Sequence, residues 1–273
     1  MLALRRVATS LLIIAVVVLA SVVVTLLCLQ NRMIYLPRHY EPGITSTLTA
    51  VPYHIREGAQ TAWLRPPQGP LHRIWVLFGG NAGLALEWGW MCAAWPRADD
   101  ALLLIDYPGY GANAGSPSQP AIERSCEAAY QACALVLQRS PEQLDQSLGV
   151  IGHSLGAAVG LQFCQRHPAQ RLVLISPFTS LRDMARTRVG WPLCWLLRGN
   201  FDNRARLREL AGQAVAPQVL LVHGTADEVV PFAMGQELAR IVPGTQLCAL
   251  PGADHVSVLD SVPQLMAAAQ MAR

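Results

Sequence analysis

Lysine is missing from this 273-residue chain, so all 21 basic residues are arginine. A phosphate loop of the Walker kind needs a lysine to reach the phosphates, and that chemistry is therefore excluded. Charge of either sign is sparse, at 14% of residues against a usual figure of about 25%. The net charge of +3 is small and scattered, too little for a nucleic-acid surface. None of the seven cysteines stands in a CxxC pair, so a zinc site has no support. Their neighbours are apolar, which reads as buried free thiols. No internal repeat or low-complexity tract is visible. Arginine without lysine is the trace of GC-rich coding and points to a bacterial source.

What is abundant is apolar surface, 52% of residues, and much of it sits at one end. Residues 7–31 carry no charge, and 7–29 are almost wholly apolar. As a helix these 23 residues would be about 35 Å long, enough to cross about 30 Å of hydrocarbon. A cleaved signal peptide is the alternative, with Val18-Leu19-Ala20 as its site. The apolar run continues unbroken beyond that site to Leu29, which favours an anchor. Leu27 before Cys28 argues against a lipoprotein site. Arg5 and Arg6 precede the run, and Arg32 and Arg38 follow it, a balance only slightly in favour of an inside N-terminus. The early position makes a signal anchor the natural reading, with the body outside the cytoplasm on the periplasmic side of a bacterial inner membrane. The chain thus divides into an anchor, 1–31, and one domain, 32–273, a comfortable size for a single α/β unit.

Beyond the anchor, short apolar runs alternate with helical stretches. Strands are expected at 74–78, 101–106, 148–152, 172–176, 219–223 and 246–250, with an edge hairpin from 48–56 and 61–65. Continuous apolar runs bounded by turn residues suit a sheet covered on both faces. Helices are expected at 82–95, 120–138, 155–167, 231–241 and 258–271. The alternation predicts an α/β fold with a mostly parallel sheet. More than 40 residues separate the strands at 172 and 219, enough for a cap insertion at about 180–215. It holds Trp191, Leu193, Trp195, Leu196 and Leu197, then Arg204, Arg206 and Arg208. These suit an acyl channel or interface beside anionic headgroups, or equally the cap's own core and a solvated basic face.

The string Gly152-His153-Ser154-Leu155-Gly156 joins a predicted strand to a predicted helix. A turn that sharp needs glycine on both sides and lifts the serine hydroxyl to the head of the helix, as a nucleophile elbow does. A serine nucleophile needs a base, and the base an orienting carboxylate. His255 follows the last strand, and Asp227 follows the strand before it. The order Ser154, Asp227, His255 is that of a serine–acid–histidine triad on an α/β sheet. Glu228 and Asp254 compete for the acid role. Two amides are needed for the oxyanion. Leu155, after the nucleophile, supplies one; Asn81, in Phe78-Gly79-Gly80-Asn81-Ala82-Gly83, supplies the second, with Gly80 behind it.

These motifs resemble the α/β-hydrolase superfamily over essentially everything past the anchor. Added to Gly152-His-Ser-Leu-Gly are Asp106-Tyr-Pro-Gly-Tyr-Gly, Gly115-Ser-Pro-Ser, Ser176-Pro-Phe-Thr-Ser and His223-Gly-Thr-Ala-Asp-Glu-Val-Val-Pro. Together with the glycine-rich loop at 78–83 they are similar to the subgroup of membrane-associated serine hydrolases and protein depalmitoylases. The resemblance implies an eight-stranded sheet and the same triad. The family usually carries histidine where this chain has Gly79, which bears on the rigidity of that loop. It also implies a turn near the site from Asp106 to Gly111, here read as structural. The expected activity is hydrolysis of an ester or thioester of an acyl chain through an acyl-enzyme, with no cofactor or metal. An amidase, aminopeptidase or acyltransferase could use the same triad, and an anchored non-catalytic binding protein could use the same fold.

Overall fold

The computed structural model describes residues 2–213 and 215–268. Its first element, α1 (Leu2–Ile34), is one unbroken helix, long and apolar enough to cross a membrane. An edge hairpin follows, β1 (Thr49–Ile55) and β2 (Gly58–Arg65). The remaining strands are β3 (Arg73–Phe78), β4 (Asp100–Ile105), β5 (Leu148–His153), β6 (Arg171–Ile175), β7 (Gln218–Gly224) and β8 (Gln246–Leu250). They form an eight-stranded sheet in the order β1-β2-β4-β3-β5-β6-β7-β8. Only the pairs β1–β2 and β2–β4 are antiparallel.

The continuous apolar strands alternate between two cores because successive side chains point to opposite faces. Val76, Phe78, Leu103, Ile105, Val150, Leu172, Leu174 and Leu221 enter one core. Trp75, Leu77, Leu102, Leu104, Ile151, Val173, Leu220 and Val222 enter the other. The second face is covered by α2 (Gly89–Ala93) and by the chain from Ser257 into α9 (Val262–Ala268). Helices α3 (Gln119–Val136) and α4 (Pro141–Asp145) lie between β4 and β5 in the chain, and α5 (Leu155–Phe163) follows β5. Ser118 caps α3 and is followed by Pro120 inside the first turn, a strong start signal.

The insertion between β6 and β7 consists of α6 (Leu181–Val189), a 3₁₀ turn at Leu193–Leu196, and α7 (Asn203–Ala211). Ser180 and Asp202 cap its two helices through the amides of Asp183 and Ala205. Helix α8 (Phe232–Leu238) precedes β8.

Two expectations need correction. The stretch 82–95 is not one helix but a 3₁₀ turn at Ala85–Trp88 followed by the short α2. Its apolar spacing serves burial of Ala85, Trp88, Met91, Cys92 and Trp95 against the second face. The C-terminal helix expected over 258–271 begins as a 3₁₀ turn at Ser257–Ser261, and 269–271 lie outside the described residues. Helix α1 runs to Ile34, and the chain directly after it packs onto the domain, with Tyr35 buried. All seven cysteines are free, and five of them are buried.

Candidate active site

The loops that carry the predicted chemistry all leave the carboxyl ends of parallel strands. Ser154 follows β5 with φ 54° and ψ −114°, a conformation that L-residues rarely adopt. Its amide donates to the Ile175 carbonyl at 2.8 Å, which ties the turn to the end of β6. Helix α5 begins at once, yet the Ser154 side chain makes no capping bond to it. The glycines explain how so tight a turn is possible. A Cβ on Gly152 would stand 2.3 Å from the Gly156 carbonyl oxygen, and one on Gly156 would stand 2.0 Å from that of Phe78. Leu155 is the first residue of α5, so its amide has no carbonyl of the helix to bond.

Asp227 and His255 are brought together from two loops. His255 Nδ1 lies 2.8 Å from Asp227 Oδ2. The other oxygen, Oδ1, accepts the amides of Val229 at 2.9 Å and Val230 at 2.8 Å. Burial alone would raise the Asp227 carboxyl. Bonds from His223, His255 and the Val230 amide outweigh it and hold the group far below the ordinary carboxylate range. An ionised Asp227 fixes the proton of His255 on Nδ1 and leaves Nε2 free to accept one. The rival acids are placed elsewhere. Glu228 is exposed, and Asp254 is spent accepting the amides of Val256 and Ser257.

Two histidines that the sequence did not single out complete the surroundings. His223, fully buried, bonds the Val230 carbonyl through Nε2 at 3.0 Å, and the same nitrogen lies 3.4 Å from Asp227 Oδ2, facing the carboxylate from a second side. Its position four residues before Asp227 was the available signal. His153 Nε2 bonds the carbonyl of His255 at 2.9 Å, and the two rings lie 4.8 Å apart. This link hangs the His255 loop over the elbow.

The loop after β3 is braced from behind. Tyr107 donates to the Gly79 carbonyl at 2.7 Å, and Tyr110 donates to Asn81 Oδ1 at 2.8 Å. Asp106 accepts the Ala85 amide at 2.8 Å. The segment 106–111 thus braces the loop after β3. The Asn81 side chain is turned away from the elbow, toward the end of α1, where Nδ2 donates to the Ile34 carbonyl.

Among the described residues one group has metal-ligand composition, His72, Asp99 and Asp100. It stands at the opposite end of the sheet, beside the starts of β3 and β4. Its carboxylates are already engaged by Arg97, His72 and Trp95.

An eight-stranded sheet in this order, with a positive-φ serine between β5 and α5, defines the α/β-hydrolase fold. Residues 72–198 match the family Hydrolase_4, described as serine aminopeptidase, S33. The chain is 29% identical over 249 residues to the uncharacterized protein MT2364 of Mycobacterium tuberculosis, covering 88% of this chain and 85% of that one. It is 28% identical over 178 residues to the human alpha/beta hydrolase domain-containing protein 17C, covering 64% of this chain and 50% of the other. The solved structure of XC6422 from Xanthomonas campestris, an α/β serine hydrolase without lid, superposes with a TM-score of 0.55 at 17% identity. That likeness covers 85% of this chain and 96% of XC6422. The chain has the α/β-hydrolase fold, and the family and proteins it is similar to are α/β hydrolases of the serine-hydrolase type.

Proposed function

We propose that this protein is a membrane-anchored serine hydrolase that cleaves an acyl ester or thioester through an acyl-enzyme. Ser154 Oγ attacks the carbonyl carbon while His255 Nε2 takes its proton. The tetrahedral oxyanion is met by the amides of Leu155 and Asn81. His255 then returns the proton to the departing oxygen or sulfur, leaving the acyl group on Ser154. Water, deprotonated by the same imidazole, attacks in turn and releases the acid. Asp227 stays ionised throughout and holds the imidazole in the tautomer that each step needs. The observation that carries this reading is the His255–Asp227 bond of 2.8 Å, on a loop that His153 ties to the elbow where an uncapped positive-φ serine heads a helix.

The anchor and cap support an acyl substrate met at a bilayer. Trp191 and Trp195 are 75% and 61% exposed, and the Arg182 guanidinium lies 4.5 Å over the Trp195 ring. A groove of about 90 Å³ runs between Leu26, Met33 and Ile34 of α1 and Val189, Leu193 and Leu197 of the cap. Exposed tryptophans beside arginines at the end of an apolar helix suit the headgroup level of a membrane. An N-terminus inside would put the domain on the periplasmic side, and a phosphatase fused to the C-terminus would then be active.

The name of the matched family favours a second reading, an aminopeptidase. The cap's charge speaks against it. Residues 181–211 hold seven arginines and three acids. Asp183 is paired with Arg204, Asp202 caps α7, and Glu209 meets Arg206. A substrate's free ammonium would meet a basic surface there.

The test is labelling by a fluorophosphonate together with turnover of p-nitrophenyl esters of rising chain length. Ser154→Ala and His255→Ala should each lose on the order of 10⁶-fold in kcat while remaining folded. More than a per cent of wild-type activity in Ser154→Ala would sink the mechanism. kcat/KM should rise from acetyl to longer chains, and Trp195→Ala should flatten the rise. A strict acetyl preference untouched by Trp195→Ala would remove the acyl-chain part and leave a small-ester hydrolase. Amide turnover exceeding ester turnover would favour the aminopeptidase.

A further inference from the structure

Residues 34–40, the exit of the apolar helix, grip the loop that follows β3 at four places. The Ile34 carbonyl accepts Asn81 Nδ2 at 2.6 Å, and the Leu36 amide donates to Asn81 Oδ1 at 3.0 Å. Tyr110 closes this cluster, donating to the same Oδ1 and accepting the Leu36 amide at 3.0 Å. Arg38 donates to the Ala82 carbonyl at 3.0 Å and pairs with Glu87 at 2.9 Å. Tyr40 accepts the Leu86 amide at 3.1 Å while donating to Asp106 at 2.5 Å. The exit segment is itself held down, since Tyr35 is buried and the Gly111 amide donates to the Arg38 carbonyl at 2.8 Å.

The loop so gripped is one that needs holding. Gly83 donates to the Gly80 carbonyl at 3.0 Å, which closes a tight turn with Asn81 and Ala82 at its centre. Ala82 has φ 63°, a left-handed conformation that a non-glycine residue keeps only where its surroundings enforce it. With glycine at 79, the loop also lacks a side chain of its own there to pack against the domain. Its orientation is supplied from outside, by Tyr107 and Tyr110 on one side and by the exit of α1 on the other.

We infer that the exit of the apolar helix is a positioning element for the oxyanion-binding amides, with the Asn81 side chain as its point of attachment. This rests on the proposed role of the Asn81 amide. One residue faces two ways. Its side chain is bound to the helix exit, and that bond fixes the Cα and so the direction of its main-chain N–H. A donor aimed at an oxyanion is effective only when prealigned, and a displacement of about 1 Å can cost on the order of 10²-fold in rate. Cutting the attachment should therefore slow the chemical step while leaving substrate binding alone.

The experiment uses the full chain in detergent micelles with p-nitrophenyl acetate. Kinetics of Asn81→Ala, Tyr110→Phe and Arg38→Gln are compared with wild type and Ser154→Ala, and folding is followed by thermal melting. Every variant keeps the main-chain amide of residue 81. Asn81→Ala should lower kcat by about 10- to 100-fold, with KM within about threefold, and Tyr110→Phe by a smaller factor. The rate of phosphonylation of Ser154 by a fluorophosphonate should fall in step, because its transition state places charge on the same oxygen. A raised KM with unchanged kcat, or kcat within about threefold of wild type, would overturn the inference and leave the triad standing. Activity in Ser154→Ala would instead overturn the underlying mechanism. Should Asn81→Ala not fold, Tyr110→Phe and Arg38→Gln decide, and unchanged kcat in both refutes the positioning role.

Discussion

His153 should make the protein lose stability in mild acid, by an amount set by its burial. The ring is 7% exposed, and burial, with the neighbouring His255, pushes its pKa down to about 4. In the unfolded chain the same imidazole titrates near 6.5. Between these values the unfolded chain binds a proton that the native one refuses, so stability falls as pH falls from about 6.5 and the loss is complete near 4. At 1.36 kcal/mol for each pH unit the gap is worth about 3 kcal/mol. For a domain of this size that is about 6 to 12 °C in Tm. His153→Gln keeps an N–H for the His255 carbonyl but cannot titrate. Melting curves of both proteins, followed by tryptophan fluorescence between pH 8 and 4, isolate the effect. Other titrating groups, such as His167 between Asp145 and Glu127, cancel in the difference. Wild type should lose about 3 kcal/mol more than the variant on acidification. Parallel curves through that range would refute the reasoning.

Other expectations follow from the same geometry. Gly156→Ala would bring a methyl within 2.0 Å of the Phe78 carbonyl oxygen, so α5 must move off β3. A loss of about 3 kcal/mol or more by urea unfolding is expected, and an unchanged midpoint would contradict the close approach. Asp227→Asn should lower kcat by about 10⁴-fold on a soluble ester, less than loss of Ser154, and a smaller effect than tenfold would make Asp227 dispensable. Deleting residues 1–30 removes the Gln30 side chain from the Arg198 amide but leaves the exit segment 34–40 whole. The shortened chain should be recovered in the soluble fraction with its kcat intact, as read on p-nitrophenyl acetate.

The strands were legible because each is a short apolar run that must face two cores at once. Trp75 and Val76 show the principle, adjacent in sequence and in different cores. The elbow was legible because its turn cannot form without glycine at 152 and 156. The stretch 82–95 misled for a physical reason. Apolar residues at roughly helical spacing are also what an irregular segment shows when it buries Trp88, Met91 and Trp95 on a sheet. The second imidazole near Asp227 had only a weak signal, the spacing of His223 four residues before it, because the turn between them decides whether the two side chains meet. The docking of residues 34–40 was hidden for a similar reason. It rests on side-chain bonds between positions more than 40 residues apart, and no local pattern encodes them.

The strand order also sets the separation that the loop before His255 must bridge. Ser154 leaves β5 and His255 follows β8, three strands away across β6 and β7. At about 4.8 Å between neighbours, that separation is about 14 Å. The loop does not run straight across it, because the Ala253 amide bonds the Leu250 carbonyl at 3.3 Å and closes a turn with Gly252 at φ 73° inside it. The loop is also pulled down on its way, where the Ala226 amide bonds the Ala253 carbonyl at 3.0 Å. It is therefore a folded arm pinned at fixed points, at its far end by His153 Nε2 on the His255 carbonyl. Removing or adding one residue in 251–254 would break the register of that turn and displace the imidazole from the serine with every participant still present.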